Sequence, residues 1–92
     1  MELHEIDYKV PNGKLIRLRA ELDGDKICSV KIMGDFFLYP EDKIFLLEKN
    51  LIGQKPEKVT LQKIVEKTLA GCEMAGISID ELVNALLKLR TR

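Results

Sequence analysis

Apolar residues occupy every second position through most of the first third of this chain, and that alternation constrains its fold more than any other feature. His4, Ile6, Tyr8 and Val10 alternate with Glu5, Asp7 and Lys9, and Ile16, Leu18, Ala20 and Leu22 alternate with Arg17, Arg19 and Glu21. Cys28, Val30 and Ile32 then alternate with Ser29 and Lys31. Successive side chains of a strand point to opposite faces, so the pattern predicts a sheet with one buried and one wet face. Pro11-Asn12-Gly13 and Asp23-Gly24-Asp25 interrupt it with residues that suit tight turns. Short turns join antiparallel neighbours, which gives a three-stranded antiparallel meander. Leu15, Ile27 and Met33 fall on the polar register, so part of the wet face is expected to be covered or to touch a partner.

The periodicity then changes to that of helices. Pro40-Glu41-Asp42 suits a helix start, because Pro fits the first helical position and carboxylates favour the positive end of the helix dipole. Ile44, Leu47 and Leu51 follow at helical spacing, and Gly53 is a stop signal. After a polar linker at Gln54 to Lys58, a second helix carries Leu61, Ile64, Val65 and Leu69, fading between Gly71 and Gly76. Ser78 and Glu81 form the S-x-x-E capping box of a third helix, with Ile77 and Leu82 placed for a hydrophobic staple. Its stripe is Ile79, Leu82, Val83 and Leu86, and Lys88, Arg90 and Arg92 stand at its end. Strands followed by helices predict an α+β domain over residues 1–92, with three helices packed on the even face of the sheet.

Composition narrows the function classes. Fifteen Lys and Arg balance fifteen Asp and Glu, so the chain lacks the excess cation that phosphate-backbone binding requires, and nucleic acid is not the expected partner. No stretch is apolar for long enough to span a membrane, and the charged N-terminus is unlike a signal peptide. Cys28 and Cys72 form no paired motif and read as reduced thiols of a cytoplasmic protein. Ninety-two residues favour a binding or accessory module over a complete two-substrate enzyme.

Candidate chemistry is sparse. The single histidine, His4, lies on the apolar register near the N-terminus without a companion motif, so it reads as packed or fraying. Cys28 is predicted to face the core, where thiols are usually inert, and nothing electropositive is placed beside Cys72. Zinc-ligand spacing is lacking, and Asp23-Gly24-Asp25 has neither the other oxygens nor the closing glutamate of a calcium loop. Arg17, Arg19 and Lys31 share the wet face with Glu5, Asp7 and Glu21, which predicts cross-strand ion pairs.

The segment that departs from this background is Gly34-Asp35-Phe36-Phe37-Leu38-Tyr39-Pro40, where aromatic residues gather at a strand-to-helix junction. Glycine there permits a sharp turn or a close approach of backbone, and Asp35 is placed to accept from backbone donors in the junction. Clusters of this kind usually fill the core, but exposure would make Phe36, Phe37 or Tyr39 interface anchors.

These residues also carry a family resemblance. Val10-Pro11-Asn12-Gly13-Lys14-Leu15-Ile16, the strand from Ile27 to Ile32, the GDFF run at Gly34–Phe37, and Leu47-Glu48 with Leu51-Ile52-Gly53 closely resemble the accessory C-terminal domain of lipoate–protein ligases. The resemblance is strongest over residues 8–53. Starting at Met1 without a catalytic region, the chain looks like the small subunit of a split ligase, pairing with a catalytic subunit as a heterodimer. The resemblance implies a two-step reaction in which lipoate and ATP give lipoyl-adenylate, and the lipoyl group then passes to a lysine of an acceptor protein. The small subunit is implied in the first step, with lipoate, ATP and Mg2+ held by the partner and no catalytic residue or cofactor of its own. Gly34, Asp35, Phe36, Phe37, Tyr39 and, through the hairpin match, Lys14 are the expected interface residues.

The family's fold is also similar to that of iron–sulfur scaffold and SufE-like sulfur-transfer proteins, which supplies the alternative function. Those proteins carry a cysteine near the end of the third strand, where this chain has Gly34-Asp35-Phe36 instead. A third reading, a lipoyl acceptor domain bearing Lys26, conflicts with the helical second half, because such domains are all-β.

Overall fold

The computed structural model describes residues 2–11 and 14–90. Strands β1 (Glu2–Lys9), β2 (Leu15–Asp23) and β3 (Lys26–Gly34) form an antiparallel sheet in the order β1-β2-β3. The turn expected at Asn12-Gly13 lies outside the described residues; beside them the Val10 N–H donates to the Lys14 carbonyl at 2.9 Å. Asp23 pairs with Lys26 across Gly24-Asp25, so the second turn is the expected two-residue connection.

The alternation holds through β2, whose Ile16, Leu18, Ala20 and Leu22 are all buried. It slips once in β3. Glu21 lies opposite Ser29 but Leu22 lies opposite Ile27, a bulge that leaves Cys28 with no opposing residue. This corrects two readings. Ile27 belongs to the core at 1% exposure, and Cys28 is only half-buried instead of core-facing. The physical reason is that an extra residue in one strand reverses the side-chain register on one side of it.

The charged face carries the expected ion pairs. Asp7 stands opposite Arg17 and Glu5 opposite Arg19, with N···O distances of 2.8 and 3.3 Å. The hydrogen bond from Arg17 lowers the Asp7 carboxyl below its usual range, and the same bond raises Arg17. A lowered carboxyl adds stability above its unfolded pKa and loses it as pH falls through the folded value. Both side chains are exposed, so screening keeps this contribution small.

Helices α1 (Asp42–Leu51), α2 (Lys58–Leu69) and α3 (Ile79–Leu87) follow, and a short 3-10 turn at Lys88–Arg90 extends α3. Helix α1 therefore starts two residues beyond Pro40, whose carbonyl accepts from the Lys43 N–H at 3.1 Å. Leu47, Leu51, Leu61, Val65, Leu82 and Leu86 are fully buried with Ile16 and Leu18 in one core. Each such side chain contributes roughly 2 kcal/mol relative to exposure. His4 is packed at the core margin, 3.2 Å from the Glu2 carboxylate. The capping box of α3 is complete: Ser78 Oγ accepts from the Glu81 N–H at 3.2 Å, and Glu81 Oε1 accepts from the Ser78 N–H at 3.0 Å. Arg92 lies outside the described residues.

Strand β3 is an outer strand, so its free N–H and C=O groups need partners. Helix α1 and the turn after it supply them. The Ile32 N–H donates to Glu48 Oε2 at 2.8 Å, the Ile27 N–H donates to the Gln54 carbonyl at 2.9 Å, and the Gly53 N–H donates to the Ile27 carbonyl at 2.6 Å. Glu48→Ala should lower stability by about 1–3 kcal/mol, because it leaves a part-buried N–H without its charged acceptor. Glu48→Gln keeps an acceptor and should lose less. Urea unfolding of the two variants checks this, and equal losses would show that the bond to Ile32 contributes nothing.

Candidate functional site

The strand-to-helix junction is built around Gly34. The Asp35 N–H donates to the Leu15 carbonyl at 3.0 Å, tying the end of β3 to the start of β2. A Cβ at Gly34 would overlap that same carbonyl oxygen and would sit 2.8 and 2.9 Å from two ring carbons of Phe36. Gly34 is thus required by close packing. Asp35 takes part through its backbone N–H, which corrects the expectation that its carboxylate would cap the junction. The Asp35 charge instead reinforces the raised pKa of Arg17, behind the larger effects of Asp7 and Glu5.

The two phenylalanines divide. Phe36 is half-buried and packs against the core. Phe37 begins a three-residue strand, β4 (Phe37–Tyr39), which pairs antiparallel with β5 (Glu73–Ala75) from the connection between α2 and α3. Alternation within β4 turns Leu38 inward at 5% exposure and leaves Phe37 and Tyr39 on the outer side at 52% and 58%. The ribbon was not foreseen, because three-residue strands carry almost no periodic signal.

Lys14 reaches the same place from the first hairpin. A Cβ at Gly76 would lie 3.4 Å from Lys14 Cε, 3.6 Å from Lys14 Cδ and 3.5 Å from the Asp35 carbonyl oxygen. The lysine stem therefore runs across Gly76, next to Ala75, which stands opposite Phe37. The six expected residues come together at one end of the sheet, joined by Ala75 and Gly76, which sequence reasoning missed. Glycine two residues before the capping Ser78 was the available signal. A hollow of about 350 Å3 bounded by His4, Gly24, Lys55 and Arg90 among others lies at the opposite end of β2.

Among the described residues no group of three or more His, Cys, Asp or Glu side chains is placed to hold a metal ion. No helix among them is long and apolar enough to cross a membrane.

The fold and site thus define an α+β domain with an outward aromatic ribbon and a neighbouring lysine. Residues 4–86 match the family described as the bacterial lipoate protein ligase C-terminus, and the chain belongs to that family. It is 42% identical over 84 residues to lipoate-protein ligase A subunit 2 of Thermoplasma acidophilum, across 91% of this chain and 87% of that protein. It also superposes on a chain of the archaeal lipoylation system of Thermoplasma acidophilum, a structure of a bi-partite lipoate protein ligase and its E2 lipoyl domain. That match has a TM-score of 0.79 and 32% identity, over 92% of this chain and 94% of the other. These relatives agree with the ligase resemblance and lend nothing to the iron–sulfur or sulfur-transfer alternative.

Proposed function

We propose that this chain is the accessory subunit of a two-component lipoate–protein ligase, acting in the cytoplasm as a heterodimer with a catalytic chain. Its residues 1–92 form one accessory domain in this reading. The observation that carries the proposal is the near end-to-end match to a relative that is itself a separate ligase subunit. Lipoate, ATP and Mg2+ are held by the catalytic chain. The accessory chain is required when the lipoate carboxylate attacks the α-phosphorus of ATP, forming lipoyl-adenylate and releasing pyrophosphate. Transfer of the lipoyl group to a lysine of an acceptor domain follows.

The surface around Gly34, Asp35, Phe37, Tyr39 and Lys14 is the proposed docking face, supported by the exposure of two aromatic side chains side by side. Half-buried Phe36 supports that face from beneath. A cover over an adenylation site excludes water and holds the carboxylate against phosphorus, and it must move before an acceptor domain approaches.

The test is lipoate-dependent exchange of pyrophosphate into ATP by the catalytic chain, with and without this one. Exchange should appear only in the mixture, while transfer from preformed lipoyl-adenylate proceeds without the accessory chain. Equal exchange in both reactions, with no complex by gel filtration, would overturn the proposal.

A further inference from the structure

The two outer strands of the sheet are finished differently. Outward backbone groups of β3 are answered by Glu48, Gln54 and Gly53. On the opposite side, β1 runs for eight residues beside β2 in continuous register, with neither proline nor bulge. Lys9 stands opposite Leu15, and the next pair in that register, Val10 with Lys14, is hydrogen-bonded. Bonded and non-bonded pairs alternate along antiparallel strands. The N–H and C=O groups of Tyr8, Ile6, His4 and Glu2 therefore turn toward β2, and those of Lys9, Asp7, Glu5 and Leu3 turn outward. The same alternation carried across β2 turns the Ile32 and Ile27 N–H groups outward, in agreement with their bonds to Glu48 and Gln54. Among the described residues nothing answers the outward groups of β1. A long edge without cover is a template for another strand. The strands of the β4–β5 ribbon are only three residues long and offer little to pair with.

The side chains define what fits there. Helix α1 packs on β3 and α3 on β2, while β1 is reached chiefly by the turn at Lys88–Arg90. Ile6 and Tyr8 consequently stay half-buried on the core side, with apolar surface left at the edge. On the other side Glu5 and Asp7 are each more than half exposed. Each is bridged from the β2 side, by Arg19 and Arg17, so its outer side faces the open edge. A second copy of this chain is a poor occupant. Face-matched antiparallel pairing of β1 with another β1 sets Glu5 against Glu5 or against Asp7 in its longest registers, and like charges directly opposite are destabilising.

We propose that β1 is a strand-addition site for an extended segment of a partner protein that alternates apolar and basic residues. The backbone of that segment completes the hydrogen bonds of Leu3, Glu5, Asp7 and Lys9. Its apolar side chains cover Ile6 and Tyr8, and its cations meet Glu5 and Asp7 on the other face. Strand β2 already presents this pattern to the inner flank of β1, through Ile16, Arg17, Leu18 and Arg19. The edge is distinct from the β4–β5 ribbon, and its use does not depend on the ligase role.

The test is amide hydrogen exchange of the full chain, followed by NMR, with a capped peptide that alternates Val and Arg over the length of β1. In the chain alone the Leu3, Glu5, Asp7 and Lys9 amides should exchange fast, because they bond only to water. At about ten times its Kd the peptide should slow them about tenfold. A peptide of the same composition with Val and Arg in separate blocks should not slow them. One alternating Val and Glu should bind roughly tenfold more weakly or worse. Unchanged exchange at these amides with about 1 mM Val–Arg peptide would overturn the proposal. Slowing confined to β4 and β5 would do the same, as would equal slowing by the Val–Glu peptide. Protection of these amides that grows with chain concentration and needs no peptide would make a second copy the occupant, and would also overturn it.

Discussion

Gly34→Ala is expected to destabilise the domain by about 3 kcal/mol, the upper part of the range for overpacking. For a domain of this size that corresponds to a fall in Tm on the order of 10–20 °C. The added methyl would overlap the Leu15 carbonyl oxygen, a backbone atom that also accepts from the Asp35 N–H and cannot swing aside as a side chain can. The Phe36 ring closes the other side, and its packing on the core limits its retreat. Thermal unfolding followed by circular dichroism measures the loss. A Tm within about 3 °C of the unaltered chain, less than 1 kcal/mol, would mean that the junction relaxes and that Gly34 is not structurally required.

Joint replacement of Phe37 and Tyr39 by alanine should leave Tm nearly unchanged and weaken the complex with the catalytic ligase chain on the order of 100-fold or more. Exposed aromatic side chains contribute little to the isolated fold, whereas aromatic anchors at an interface commonly cost 2 kcal/mol or more each when truncated, and about 1.4 kcal/mol is tenfold in affinity. Phe36→Ala should behave in the opposite sense, with a lower Tm and a small change in affinity, because that ring packs inward. Binding measured by calorimetry well below Tm separates the two effects. Unchanged affinity of the Phe37/Tyr39 variant would remove the β4–β5 ribbon from the interface and return the docking face to another side of the domain.

Much of this architecture was legible because its signals are local. The alternation of Ile16, Leu18, Ala20 and Leu22 places four side chains on one face whatever lies beyond the strand, and Ser78 with Glu81 caps α3 using atoms three residues apart. The opposite charges along the strands foretold cross-strand ion pairs, and the register of β1 against β2 decided that they are Arg17 with Asp7 and Arg19 with Glu5. Cys28 marks where the local rule gives out. The spacing of Ile27, Val30 and Ile32 breaks strict alternation, but only pairing with β2 decides which residue the bulge leaves unpaired.

The candidate site follows the same division. The sequence by itself determined that aromatic residues gather after Gly34 and that a lysine follows the first turn, because composition at a junction is read directly from the chain. It could not separate Phe36 from Phe37, since adjacent aromatic residues carry equal signals until a partner strand sets their faces. That partner, Glu73–Ala75, lies more than thirty positions away and is too short to show a period. The tertiary structure alone decided that Phe36 packs inward while Phe37 and Tyr39 face outward, and that the Lys14 stem lies across Gly76. Those outcomes depend on contacts between segments that meet only when the helices close over the sheet, and no local periodicity encodes where two distant backbones touch.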